Sequence, residues 1–202
     1  MKSKCFSTTG VTYSSFPKGN PKAIFFEIET KYQLVISTWL GYGQQTQQKL
    51  SRMLELAINV FEDIFEAPTT PVVAMINHWD TTKDVYMLNQ FEAYRIGDFM
   101  SETFVDETQE VEKVQIYFQT TAGDINYKNI FNRFFLRDYH LSNEVNSRIF
   151  FVHPTKQVYL LYFDSEIIVG SNDLNQLIPY FDKYQPHIET ARRKQFLEQF
   201  KH

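Results

Sequence analysis

The chain has 202 residues, a length that suits one domain rather than several. Hydrophobic residues make up 43% of it and charged residues 22%, which excludes disorder as a description of the whole. Twenty basic residues against twenty-four acidic ones give a net charge of -4, which argues against binding nucleic acid by broad phosphate neutralisation, and the single Cys5 excludes an intramolecular disulfide or a multi-cysteine zinc site.

Residues 1–22 hold Gly10, Pro17, Gly19 and Pro21 among polar residues and read as a loop. The opening Met1-Lys2-Ser3-Lys4 is basic, but no apolar stretch of the ~7–15 residues that a signal peptide needs follows it. The expectation is a cytoplasmic protein with a reduced Cys5. Ile24, Phe26 and Ile28 alternate with Glu27 and Glu29 as in a half-buried strand, and Gln33–Leu40 reads as its hairpin partner. The period then changes. Leu50, Leu54, Ala57, Ile58, Phe61, Ile64 and Phe65 fall on one face of a helix, which predicts a long amphipathic helix over about 44–67, stopped by Pro68 and Pro71.

Pro71–Ile76 is a short apolar strand, and a helix around Val85–Arg95 follows. From Asp98 to Glu112 there are six acids and no base, a stretch expected as a solvated loop or helix face and as the break that would divide one domain, 1–202, into two lobes near 98–112. Lys113–Phe118 alternates as a strand, and Asp124 or Asn126 can cap a helix running to about Tyr139. Arg148–His153 and Gln157–Phe163 flank Pro154-Thr155-Lys156 as a hairpin, and Asp164-Ser165-Glu166 turns into a strand at 167–170. Asn172 or Asp173 starts a helix that Pro179 should kink or split, and Glu189–Phe200 forms the last one. Hairpins outnumber crossovers, so the expected fold is α+β, a mainly antiparallel sheet with the long helix and C-terminal helices packed on it.

No sequence pattern supplies a complete catalytic set. Leu40-Gly41-Tyr42-Gly43 lies between a strand and a helix, as a phosphate-cradling turn would, but lacks a third glycine and a lysine. Glu27, Glu29, His78 and Asp80 are the residues a metal-dependent hydrolase would use, if they converged at a cleft. His78 and Asp80 alone are two ligands, too few for a metal site. Arg192-Arg193-Lys194 is too short a basic run to bind nucleic acid, and no apolar run reaches the ~18 residues of a membrane span. A third alternative is a regulatory domain holding a small ligand between sheet and helix.

The C-terminal third carries a more specific pattern. Ile149–His153, Tyr159–Val169 and Leu174–Ile188 together resemble the end of the bacterial domain-of-unknown-function family 3885. There a Tyr-Asp-Asp-Arg-Gly-x-Asp turn follows a hairpin strand, then come a helix of the pattern Leu-Tyr-x-x-Tyr-x-x-Trp-Ile and an arginine-rich helix ending in Phe. Ala23–Ile28 and Ala57–Phe65 resemble the family's opening strand and helix. Tyr162-Phe163-Asp164-Ser165-Glu166 keeps one acid of the turn and loses its Arg-Gly, and His187 stands where the family has Trp. The resemblance implies a bacterial protein without established activity, of a kind encoded beside secreted toxins, and hence an immunity role. On that basis the expected molecule binds a basic protein, such as a toxin, through acids and rings, without cofactor or metal. The candidate contacts are Asp98, Glu102, Asp106, Glu107 and Glu110, with Asp164 and Glu166 at the turn.

Overall fold

The computed structural model describes residues 30–38, 47–78, 86–97, 99–106, 111–141, 145 and 147–199; at 78, 86, 100, 102–106 and 111–115 it describes the backbone alone. Its strands are β1 (Tyr32–Ser37), β2 (Pro71–His78), β3 (Met100–Asp106), β4 (Val111–Thr121), β5 (Ser147–His153), β6 (Val158–Phe163) and β7 (Glu166–Ser171). Its helices are α1 (Gln47–Phe65), α2 (Glu92–Arg95), α3 (Tyr127–Asp138), α4 (Ile178–Tyr184) and α5 (Thr190–Glu198). The strands form one seven-stranded sheet in the order β1-β7-β6-β5-β2-β4-β3, with every neighbouring pair antiparallel. The fold is α+β, as the sequence pattern predicts.

Side chains alternate across the sheet. Leu34, Ile36, Ala74, Ile76, Phe118, Ile149, Phe151, Leu160, Tyr162, Ile167 and Val169 face the helices and share one core with them. The opposite face carries a smaller apolar group of Val73, Met75, Tyr117, Phe150, Val152, Tyr159 and Leu161. Strand β5 lies in the middle of the sheet and is buried along its whole length. That burial on both faces is why Arg148–His153 reads as a continuous run rather than an alternating one.

Helix α1 buries Met53, Leu56, Ala57, Val60, Phe61, Ile64 and Phe65. This stripe is turned slightly from the one predicted: Leu54 and Ile58 flank the core half-buried, and Met53, Leu56 and Val60 take the centre. The helix stops at Phe65 because Glu66 adopts φ 37, a left-handed stop, two residues before Pro68. Phe61 is the hub of the ring packing, stacked on Tyr127 of α3 at 4.2 Å between centroids and edge-on to Phe151 of β5 at 5.2 Å. Among the described residues, most aromatic rings are thus inside. The exposed large hydrophobics among the described residues are Ile96, Leu141 and Leu197, none of them aromatic.

Two local expectations change. The helix expected around Val85–Arg95 is a 3-10 segment, Tyr86–Gln90, followed by the short α2. The acid-rich stretch expected as a loop or helix face supplies β3, whose residues 100–106 pair with 111–117 of β4. Pro179 does split its helix: Asp173 caps a 3-10 turn at Leu174–Gln176 by accepting the Asn175 N–H at 3.0 Å, and α4 then begins with Pro179 in its first turn. The predicted strand at 24–29 and the Gly41-Tyr42-Gly43 turn lie outside the described residues.

Candidate functional site

Strands β6 and β7 are joined by a two-residue turn, Asp164-Ser165, with φ 49 and φ 62. Two successive positive φ values make the tight mirror-image turn that suits the twist of a hairpin. Neither residue is glycine, so left-handed backbone costs about 1 kcal/mol at each. The surrounding polar groups offset this. The Ser165 carbonyl accepts the Thr38 N–H at 2.9 Å and the Thr38 hydroxyl at 2.6 Å. The Ser165 N–H donates to Asp138 Oδ2 at 3.0 Å, and the Tyr162 hydroxyl donates to the same oxygen at 2.7 Å. Asp138 Oδ1 accepts from Arg137 Nε at 3.0 Å and Nη2 at 2.8 Å.

Asp138 is therefore a buried tie between the end of α3 and the turn, with its side chain only 5% exposed. A carboxylate in that position is stable because it is fully coordinated by donors and neutralised by a guanidinium. Burial pushes the Tyr162 phenol well above the ordinary tyrosine range, and the Asp138 charge pushes it further. Burial also raises the neighbouring Tyr139, whose hydroxyl points at Met53 Sδ at 3.3 Å. Both phenols stay protonated and act as donors.

On the opposite face of the sheet, Arg148 lies over the Phe163 ring at 3.9 Å and is buried. Burial pushes its guanidinium down to about 10, the positive Arg137 adds to that, and the Asp164 carboxylate opposes it. Arg148 therefore remains a cation at neutral pH beside the turn. The pairing registers align Ser37, Glu166 and Phe163 across β1, β7 and β6, and Arg148, Asn77, Gln115 and Glu102 across β5, β2, β4 and β3.

The candidate contacts separate into groups. Asp164 is exposed at the tip of the locked turn. Glu166 is half-exposed and holds Arg192 of α5 at 2.7 Å, so it fastens the last helix to the sheet. Glu102 and Asp106 occupy register positions on the edge strand β3, opposite Gln115 and Val111. Glu102 is five strands away from Glu166, roughly 24 Å at ~4.8 Å per strand. Asp98, Glu107 and Glu110 lie outside the described residues, as do Glu27, Glu29 and Asp80. His78 ends β2, its backbone opposite Val114 and Ser147. Among the described residues, no three or more His, Cys, Asp and Glu are grouped so as to hold a metal ion, and no helix is long and apolar enough to cross a membrane.

Sequence reasoning missed Thr38, Arg137, Asp138, Arg148 and Tyr162. One signal was present. Asp138 closes a helix at its C-terminal end, where the macrodipole disfavours an acid, so an acid there implies compensation from elsewhere.

The family described as Domain of unknown function (DUF3885) matches residues 14–191, most of the chain, in agreement with the resemblance carried by the C-terminal segments. No curated protein and no solved structure matches the chain.

Proposed function

The chain belongs to the DUF3885 family, and from that premise and the geometry of the β6–β7 turn we propose that it is a non-catalytic protein-binding module of the cytoplasm, an immunity protein that binds and neutralises a basic bacterial toxin. One observation carries this reading: Asp164 stands exposed on a turn whose backbone is already fixed by Asp138 and Thr38. A loop ordered before it binds loses little conformational entropy on binding, so more of the contact energy appears as affinity. A carboxylate on such a base, in a chain of net charge -4, steers a basic partner toward it.

The test is to purify this protein with the toxin domain of the secreted protein encoded beside its gene. The expected results are a complex by size-exclusion chromatography and calorimetry, and restored growth of cells expressing the toxin. Asp164→Lys should weaken the complex at least tenfold, about 1.4 kcal/mol, while leaving the fold intact. Neither complex nor protection with the wild-type chain would overturn the reading.

A further inference from the structure

We draw no further inference here: the strongest candidate, the second apolar face of the sheet around Met75, Phe150 and Leu161 with the Arg148 guanidinium at its end, carries none because nothing among the described residues shows what covers it.

Discussion

Tyr159 and Gly170 face each other across the β6–β7 ladder, and the tyrosine ring fills the space in which a side chain at 170 would sit. A Cβ built on Gly170 overlaps the ring at three atoms, from Cε1 to the hydroxyl. The glycine is thus required for packing, since its φ is unremarkable. The ring in turn covers backbone that a glycine leaves bare, and its hydroxyl reaches Thr30 Oγ1 at 3.3 Å beside β1. Gly170→Ala should destabilise the protein by about 1–3 kcal/mol, the usual cost of overpacking. Urea denaturation of Gly170→Ala, Tyr159→Ala and the double variant measures it. The alanine at 170 should cost much less once the ring is gone; equal costs in both backgrounds contradict the packing account.

Asp138 joins three donors, the Ser165 amide, the Tyr162 hydroxyl and the Arg137 guanidinium. Removing it by Asp138→Ala leaves the Ser165 amide and the Tyr162 hydroxyl without their acceptor and strands the Arg137 charge, which is 22% exposed. The expected cost is about 3–5 kcal/mol, as for breaking other buried ion pairs. Asp138→Asn keeps an acceptor oxygen and should cost less. Hydrogen exchange gives the sharper readout: the Ser165 amide should lose protection in both variants, and in Asp138→Ala before the amides of β5 do. Unchanged exchange at Ser165 would show that the turn holds itself.

Much of this fold is legible in the residue order because its parts are local. The α1 stripe is a matter of period, the β5–β6–β7 meander is set by short turns, and Pro179 breaks its helix by covalent geometry. Strand β3 was hidden by its acids. It is an edge strand, and edges carry charge to discourage pairing with other chains, so the same composition suits a loop and an edge. The locked turn was hidden for a different reason. Asp164 and Glu166 are readable as acids at a hairpin, but what fixes them comes from Thr38 and Asp138, residues 127 and 27 positions from Ser165. The five-strand separation of Glu102 from Glu166 depends on β2 inserting between β5 and β4, which no local pattern encodes.

His153 makes stability depend on pH. Its Nδ1 accepts the Lys156 N–H at 3.2 Å in the β5–β6 turn, and its ring lies parallel to Phe65. Burial lowers its tendency to protonate, the Lys156 ammonium adds to that, and Glu66 opposes it. The folded state therefore binds a proton less readily than the unfolded chain. The associated stability is complete above the unfolded value of about 6.5 and is lost as pH falls from there through the lower folded value. Denaturation midpoints measured between pH 7.5 and 5 should fall with acid in the wild type. In His153→Asn, which keeps an acceptor and cannot titrate, the fall should flatten. An identical pH slope in both would remove His153 from the account. Glu66 responds at lower pH: its bond to Lys156 holds its carboxyl below the ordinary range, so that contribution disappears only in stronger acid.

The C-terminal end of α1 gathers acids against the helix dipole, with no basic residue in its own last turn. Each acid is met by another element. Glu62 accepts the Tyr127 hydroxyl of α3 at 2.6 Å, Glu66 holds Lys156 of the β5–β6 turn at 2.6 Å, and Asp63 holds Lys183 and Tyr184 of α4. The dipole penalty is thereby turned into tertiary specificity, because α1 is electrostatically complete only when docked. The two bonds on Asp63 differ in kind. Lys183 is 57% exposed, so its ion pair is worth under about 1 kcal/mol and is screened by salt. Tyr184 is buried, its phenol pushed up first by that burial and then by the 2.6 Å bond to Asp63. Losing that bond leaves a buried hydroxyl unsatisfied, at about 1–3 kcal/mol. Asp63→Ala should therefore destabilise clearly more than Lys183→Ala, and only the smaller Lys183 effect should vanish in 1 M salt. Urea midpoints with and without salt decide it. If Lys183→Ala costs as much as Asp63→Ala, the ion pair rather than the phenol fastens α4 to α1.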